Sequence, residues 1–315
     1  MSWSIILAAG EGKRLQPAIK SWFGRDCPKQ FCALGGSRTM VENAVRRALG
    51  ISPLPQILTI VGKHQTRFIP AHAKLGRIIE QPQNLGTGIG ILYCLAHILP
   101  KNPEATVAIF PSDHFVAPRH GFSRLLRVAI RSIHENPDKL LLLAAPATRP
   151  ETDYGWIEIK SSASSSEVLP ISRFREKPSL EEAHKLWDRG ALWNTMITVS
   201  KAKTLWELAQ ERFPDLVRNF EEAFSSLTLG ISDYNAENFY KNLSPLDFSK
   251  DILESNAHKI SVLPMRGVVW SDWGRPERIL EIIRQFGLPS PVPKGRVYGP
   301  HRTFEERSRR VKIFA

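Results

Sequence analysis

The sequence contains few cysteines and no long apolar run. Only three of its 315 residues are cysteines. Because Cys27, Cys32 and Cys94 lack metal-ligand spacing, neither a disulfide framework nor a zinc site is predicted. The longest apolar run, residues 140–145 with their neighbours, has the length of a strand and not of a membrane span. The N-terminus has no cationic segment leading into an apolar signal core. We therefore expect a cytoplasmic protein with no membrane partner.

Acidic residues are also scarce, with 31 Asp and Glu against 43 Lys and Arg and a formal net charge of +12. Aromatic residues are not interleaved with the cations as a base-stacking platform requires, and no nucleic-acid-binding module is present. The positive charge therefore favours anionic small ligands, and we expect no nucleic acid as a partner. A nucleic-acid-binding protein stays open as an alternative on net charge alone.

Apolar runs of strand length alternate with stretches of helical periodicity. The predicted buried parallel strands are residues 5–9, 57–61, 107–110 and 140–145. The predicted helices are residues 40–49, 88–99, 122–136, 180–189, 203–211 and 276–286. This order predicts an α/β fold with a Rossmann-like, doubly wound, mixed and mostly parallel sheet, whose ligands bind beyond the carboxyl ends of its strands.

Two segments depart from that alternation. Residues 155–159 and 168–174 flank a serine-rich turn and predict a β-hairpin inserted after the first half of the chain. Beyond residue 286, three prolines interrupt regular structure and lead into a basic end. We therefore divide the chain into a domain of residues 1–286 and a basic C-terminal tail of residues 287–315. The basic residues of the tail are Arg302, Arg307, Arg309, Arg310 and Lys312.

The first predicted strand runs into a loop of glycines and cations, Gly10-Glu11-Gly12-Lys13-Arg14. Glycine lets the main chain approach an anion closely, and Lys13 and Arg14 supply charge for a polyphosphate. A Rossmann dinucleotide loop requires a third glycine, and a Walker loop requires Ser or Thr after Gly-Lys. This loop fits neither pattern. A plain strand-to-helix turn with solvated cations remains the alternative reading.

Two aspartates follow strand-like runs. Asp113 lies just past residues 107–110, and Asp272 follows residues 267–270. A carboxylate at the carboxyl edge of a sheet either caps a helix or reaches a metal beside a bound nucleotide. Mg²⁺ prefers a few carboxylates together with phosphate oxygens and water, so two such aspartates suit it.

Several short motifs, in order, carry a family resemblance from about Ile5 to Ile279. The start LAAGEGKRLQP and the later PKQF resemble the sugar-nucleotide pyrophosphorylases, and the PKQF form points towards mannose-1-phosphate guanylyltransferases. The segments QPQNLGTG, PSDHF, YGWI, FREKP, LWNT and SDWG are similar to further motifs of these nucleotidyltransferases. They stand at residues 81–88, 111–115, 154–157, 174–178, 192–195 and 271–274.

The resemblance implies a glycosyltransferase-A-like fold and a reaction. A sugar 1-phosphate and a nucleoside triphosphate, in first place mannose 1-phosphate and GTP, would form a nucleotide sugar and pyrophosphate. The implied catalytic residues are Arg14, Lys29, Asp113 and Asp272, the two aspartates binding Mg²⁺. The implied nucleotide-binding residues are Ala8, Ala9, Gly10, Gly12, Lys13, Arg14, Gln81, Gly86 and Thr87. The implied sugar-phosphate-binding residues are Lys29, Tyr154, Gly155, Glu176, Lys177 and Asn194.

Two positions depart from the family pattern, and alternatives stay open. Met196 stands where a glycine is expected, and Trp273 stands where the family has valine. Uridylyl or thymidylyl transfer to glucose 1-phosphate is one alternative, and the cytidylyltransferase of isoprenoid synthesis, a shorter chain, is another. A nucleotide-sugar-binding regulator without turnover is the third. The oligomeric state is open, a homodimer included.

Overall fold

The computed structural model describes residues 2–160, 166–228 and 235–293. Its strands are β1 Ser2–Leu7, β2 Ile57–Gly62, β3 Arg77–Gln81, β4 Thr106–Pro111, β5 Phe115–Ala117, β6 Leu140–Pro146, β7 Gly155–Ile159, β8 Leu169–Glu176, β9 Leu192–Lys201, β10 Ile260–Pro264 and β11 Val269–Ser271. Its α-helices are α1 Gln16–Phe23, α2 Met40–Ala48, α3 Thr87–Ile98, α4 Arg119–Glu135, α5 Leu180–Asp188, α6 Ala202–Arg212, α7 Pro214–Thr228, α8 Ala236–Lys241 and α9 Pro276–Phe286.

Nine strands form one sheet in the order β3-β2-β1-β4-β9-β6-β10-β8-β7. The four strands β3, β2, β1 and β4 are mutually parallel. Strands β8 and β9 run against the others, so every pairing that they make is antiparallel. The sheet is therefore mixed, as expected, and most strands share one direction. A separate antiparallel pair joins β5 to β11.

Alternate side chains of each central strand enter different cores. In β4, Val107 and Ile109 pack with α3 and α6, while Ala108 and Phe110 pack with α2 and α4. Successive side chains of a strand point to opposite faces, so an apolar run needs cover on both sides. Helices lie on both faces of the sheet and supply that cover. The doubly wound arrangement expected from the alternating sequence is thus present.

Strands β7 and β8 pair antiparallel at the end of the sheet. The start of β9 pairs with β7 through Trp193 opposite Trp156, so this end of the sheet curls back on itself. The turn expected between β7 and β8 falls on residues 161–165, outside the described residues. The two strands continue the central sheet, and their binding of sugar stays a prediction.

The chain after α9 continues along the body for several residues. Gly287 ends the helix in the left-handed region with φ +60°. Leu288 and Val292 then pack against the core on the α2 face. The basic residues predicted for the tail, from Arg302 onward, lie outside the described residues. Among the helices that the structure describes, none is long and apolar enough to cross a membrane.

Candidate active site

Two amide side chains hold the loop after β1. Gln30 Nε2 donates to the carbonyl oxygens of Ala8 at 2.7 Å and Gly10 at 2.9 Å. Gln65 Nε2 donates to the Gly10 oxygen at 3.2 Å. Gly12 takes φ +60°, and a 3₁₀ turn over Lys13–Leu15 follows, with Lys13 and Arg14 exposed. The Ala8 and Gly10 oxygens therefore accept hydrogen bonds from glutamine side chains of the protein, and the exposed side chains of Lys13 and Arg14 extend into solvent.

A second loop, residues 81–88, lies beside the first. Asn84 Nδ2 donates to the Ala9 oxygen at 3.1 Å, and its Oδ1 accepts from the Gly86 N–H at 3.0 Å. Gly86 has φ +93°, and a Cβ there would overlap the main-chain oxygen of Leu246. Thr87 Oγ1 accepts from the Phe248 N–H at 3.0 Å. These contacts dock the loop and the start of α3 onto residues 246–248.

The two loops enclose a cleft of about 220 Å³ at the carboxyl ends of β1 and β4. Of the predicted nucleotide-binding residues, this cleft is lined by Ala9, Gly10, Gln81, Gly86 and Thr87. Asp113, His114 and Met196 complete its wall. Gln81, one of the predicted nucleotide-binding residues, is 2% exposed, and its Oε1 accepts from the Tyr240 hydroxyl at 3.5 Å.

Lys29 joins the two predicted metal ligands. Its Nζ lies 2.8 Å from Asp113 Oδ2 and donates to the main-chain oxygen of Asp272 at 2.6 Å. The Lys29 side chain is 5% exposed, whereas that of Asp113 is 34% exposed. One buried cation thus brings together residues from three distant segments of the chain, with the Asp113 carboxylate open to the cleft.

Asp272 belongs to what we call the carboxylate network, formed by Glu151, Asp153, Tyr154, Asp272 and Arg278. Its Oδ1 accepts from the Tyr154 hydroxyl at 2.6 Å and from Arg278 Nη1 at 2.9 Å. The other Arg278 nitrogen, Nη2, pairs with Glu151 and lies 3.4 Å from Asp153. Arg278 is 6% exposed, so this network fixes Asp272 through a buried guanidinium.

Both aspartates are held ionised. Burial acts to raise the pKa of Asp113, but the charges of Lys29 and His114 outweigh it and lower that pKa below its ordinary value. Burial likewise opposes ionisation of Asp272, yet the Tyr154 hydrogen bond and the Arg278 charge bring its pKa below the ordinary value. The site therefore presents two carboxylates close to one ammonium group.

The predicted sugar-phosphate residues gather around Gly155. A Cβ at Gly155 would lie 2.7 Å from Glu176 Oε2 and 3.2 Å from Asn194 Cβ, so only glycine lets these side chains approach. The Lys177 N–H donates to the Tyr154 oxygen at 3.2 Å, and its Nζ lies 3.2 Å from Glu176 Oε1. Burial raises the pKa of Glu176.

Arg14 lies beside the carboxylate network. Its Nη1 is 3.4 Å from Asp153 Oδ1, and its side chain is 68% exposed. An exposed ion pair of this kind contributes little free energy, so the guanidinium is available to a phosphate. The predicted cation of the first loop thus stands next to the residues that hold Asp272.

The two family departures adopt the backbone conformation that favours glycine. Met196 has φ +62° and Trp273 has φ +48°. Asn194 Oδ1 accepts from the Met196 N–H at 3.0 Å, and the Ser249 hydroxyl donates to Met196 Sδ at 3.0 Å. The Trp273 ring stacks on Phe115 with 5.2 Å between centroids. The hydrogen bonds of Met196 and the ring stacking of Trp273 thus hold these two bulky residues in a strained backbone conformation.

Sequence reasoning missed several residues that build the site. They are Gln30, Gln65, Asn84, Glu151, Asp153 and Arg278. Gln30 lies inside the PKQF motif, and Arg278 lies on the buried face of α9 beside Ile279 and Ile282. A charged residue at a core-facing helical position was the available signal for Arg278. No local pattern marks Glu151 or Asp153.

Comparison with known proteins identifies the family of this chain. A family model described as nucleotidyl transferase matches residues 3–287. A mannose-1-phosphate guanylyltransferase of Salmonella montevideo is 26% identical over 290 residues, covering 88% of this chain and 59% of that protein. The alginate biosynthesis protein AlgA of Pseudomonas syringae pv. tomato is 25% identical over 240 residues, covering 74% and 47%. The chain spans about half the length of these curated relatives.

Solved structures share the fold. The crystal structure of mannose-1-phosphate geranyltransferase from Thermus thermophilus superposes with a TM-score of 0.75 at 24% identity, covering 89% of this chain and 79% of that one. A UDP-glucose pyrophosphorylase complexed with UDP-glucose gives a TM-score of 0.58 at 16% identity, covering 91% and 99%. Both likenesses establish the mixed α/β fold with its central sheet.

Proposed function

This chain belongs to the nucleotidyl transferase family, and on that premise we propose that it joins a nucleoside triphosphate to a sugar 1-phosphate and releases pyrophosphate. One observation carries the proposal: buried Lys29 links Asp113 to Asp272 at the mouth of the cleft between the two loops. A phosphate-transfer site needs positive and negative groups in fixed positions around the reacting phosphorus. This cluster supplies both.

The reaction needs no covalent intermediate. A phosphate oxygen of the sugar 1-phosphate attacks the α-phosphorus and forms the new P–O bond. The bond from that phosphorus to the oxygen bridging to the β-phosphate breaks, and its electron pair leaves with pyrophosphate. Lys13 and Arg14, exposed on the first turn, hold the β- and γ-phosphates, while Lys29 and Lys177 orient phosphates near the reacting centre. Catalysis comes from positioning and charge neutralisation.

Asp113 and Asp272 would hold the Mg²⁺ that this reaction uses. Their donor set suits the ion, because Mg²⁺ takes one or two carboxylates and fills its other positions with water and phosphate oxygens. Asp113 is open to the cleft, and the Cβ position of Gly274 would overlap Asp272 Oδ2, so that oxygen faces a position without a side chain. When bound, Mg²⁺ neutralises charge on the phosphates.

For substrates we propose GTP and mannose 1-phosphate in first place. The motifs PKQF, PSDHF, YGWI and LWN support this choice, as does the similarity to proteins named mannose-1-phosphate guanylyltransferase. A site that hydrogen-bonds a base rejects a wrong base strongly, whereas one altered contact near a hexose changes preference less. We expect the nucleotide preference to be sharper than the sugar preference.

The test is a matrix of nucleoside triphosphates against sugar 1-phosphates, with Mg²⁺ and pyrophosphate release as the readout. The proposal expects GTP with mannose 1-phosphate to be the fastest pair. Faster formation of UDP-glucose or dTDP-glucose would assign different substrates to the protein and leave the proposed reaction class unchanged. Absence of pyrophosphate release from every pair would contradict the reaction class itself.

Substitutions of the two aspartates, with a matched control, test their proposed role in turnover. Asp113→Asn and Asp272→Asn should each lower kcat by at least about a hundredfold, because each removes charge at the reacting centre. Asp138→Asn, at an exposed aspartate that pairs with Lys139, is the control and should retain wild-type activity. Near-normal Mg²⁺-dependent turnover in either active-site variant contradicts the assignment.

A binding protein without turnover is the second candidate. Met196 favours it, because a bulky side chain in a glycine-like conformation lines the nucleotide cleft. A protein of this kind would bind GDP-mannose or GTP in calorimetry and release no pyrophosphate. Met196→Gly would then remove bulk from the cleft without producing turnover.

A further inference from the structure

A second cleft lies behind His114, which also lines the nucleotide cleft. It occupies about 240 Å³ between α2, the start of α4 and the β5–β11 pair. Three arginines, Arg46, Arg47 and Arg119, line it together with the aromatic pair Phe115 and Trp273. Cations on one wall and stacked rings on another give the cleft a polar part and an apolar part.

The arginines of this cleft have no carboxylate partner. In the ranges 2–160, 166–228 and 235–293, no ion pair involves Arg46, Arg47 or Arg119. Arg119 Nη2 donates to the main-chain oxygen of Arg46 at 3.0 Å, which brings two guanidinium-bearing residues together. Burial, with the charges of Arg38 and Arg119, lowers the pKa of Arg46. Like charges therefore lie close together here, and the charge of Asp113 only partly offsets the effect of burial on the pKa of Arg47.

Two buried N–H groups at this cleft lack acceptors. Arg47 is 7% exposed and Trp273 is 2% exposed. Neither Arg47 Nε nor Trp273 Nε1 has a hydrogen-bond partner among the described residues. An unpartnered buried donor costs about 1–3 kcal/mol, and more when it is charged. A bound ion or water is one of the explanations for such groups in native proteins.

We propose that this cleft is a second ligand site, which binds a phosphate-bearing small molecule through Arg46, Arg47 and Arg119. Guanidinium groups match phosphate geometry through paired N–H donors, so phosphate is the anion that this cluster fits best. The Phe115–Trp273 stack lies beside the cations and takes an apolar part of the same molecule. The site is distinct from the nucleotide cleft and does not depend on the proposed reaction.

The second cleft lies next to the predicted active site. Arg47 Nη2 donates to the His114 main-chain oxygen at 3.2 Å, and the Trp273 oxygen accepts from Lys29 Nζ at 3.4 Å. His114 directly follows Asp113, and Trp273 directly follows Asp272. A ligand in the second cleft therefore contacts the neighbours of both predicted metal ligands.

The experiment measures binding of inorganic phosphate and of phenyl phosphate to the full chain by calorimetry, without nucleotide. We expect both to bind the wild type, and phenyl phosphate to bind more tightly because its ring reaches the aromatic wall. Equal affinity of the two would assign free phosphate as the ligand of the same site. Binding of neither at millimolar concentration overturns the proposal.

Substitutions locate the site. Arg46→Gln and Arg119→Gln, at residues not fully buried, should each weaken binding about tenfold, since a hydrogen bond to a charged group contributes at least that factor. Arg127→Gln, at an exposed position on the same helix as Arg119, should leave binding unchanged. Equal weakening in Arg127→Gln would indicate surface charge and overturn the proposal. Binding that is lost in Arg14→Ala and kept in Arg46→Gln would place the anion in the nucleotide cleft and also overturn it.

Discussion

The first loop and the carboxylate network hold their functional residues by opposite means. In the first loop, uncharged amides of Gln30 and Gln65 bind main-chain oxygens. In the network, a buried guanidinium binds three carboxylates. Neutral hydrogen bonds tolerate the loss of one partner better than a buried charge does. The first loop therefore depends on close main-chain packing, whereas the carboxylate network depends on charge balance.

The largest effect is expected at Arg278. Arg278→Ala leaves Glu151, Asp153 and Asp272 without their shared cation, and breaking a buried ion pair costs about 3–5 kcal/mol of unfolding free energy. Urea denaturation measures this loss. Arg284→Ala on the same helix, at an exposed arginine, is the control and should change stability by less than about 0.5 kcal/mol. A similar small change in Arg278→Ala would show that the network is not balanced by this residue.

The next largest loss of stability is expected from substitution of Gly86, compared with the same substitution at Gly10. Gly86→Ala should cost about 3 kcal/mol, because its Cβ meets the Leu246 oxygen and its φ is +93°. Gly10→Ala should cost less than about 1 kcal/mol, since nothing lies within 4 Å of its Cβ position. If Gly10 is needed for phosphate approach, this variant instead raises the nucleotide KM. Equal stability of the two variants would contradict the packing role of Gly86.

A smaller effect is expected at Gln30. Gln30→Leu keeps the side-chain size but leaves the Ala8 oxygen without its side-chain donor and the Gly10 oxygen with Gln65 alone, which costs about 2 kcal/mol. The nucleotide KM should rise with it, because the first loop is no longer held. Gln285→Leu, at an exposed glutamine of α9, should change neither quantity. Unchanged KM in Gln30→Leu would mean that the amide supports folding only.

The smallest effect is a pH dependence of the unfolding free energy that arises from His97. His97 of α3 packs against Tyr93 and Phe224, and burial, aided by the charges of Arg77 and Lys101, lowers its pKa to about 4. Because this pKa lies below the unfolded value near 6.5, stability is full above that pH and is lost as pH falls from about 6.5 towards 4. We expect a loss of about 1 kcal/mol between pH 7 and 5, allowing for partial exposure.

His97→Phe should flatten that pH dependence, because it keeps the ring contacts and removes the titrating group. His120→Phe, at an exposed histidine of α4, should leave the dependence as in the wild type. Unfolding free energies of the three proteins at pH 7 and 5 provide the comparison. An equal acid loss in His97→Phe would assign the effect to other groups.

The same contrast explains how far the sequence predicts the structure. Alternation and helical periodicity are local patterns, and they predict strands β1, β2, β4 and β6 and helices α2 to α6 and α9. The short edge strands β3 and β5 lack such a pattern. Arg278 was missed because its partners Glu151 and Asp153 lie more than 100 residues away. Pairing across such distances is decided by tertiary packing, which no local pattern records.

The link from Lys29 to the Asp272 oxygen spans 243 residues of chain. During synthesis, at about 5–20 residues per second, Lys29 leaves the ribosome roughly ten seconds or more before Asp272. From the emergence of residue 88 until that of Asp272, the nascent chain carries both loops of the cleft but not the second carboxylate. The site can therefore be complete only after residue 272 has been synthesised, and a chain that stops short of that residue lacks the second carboxylate.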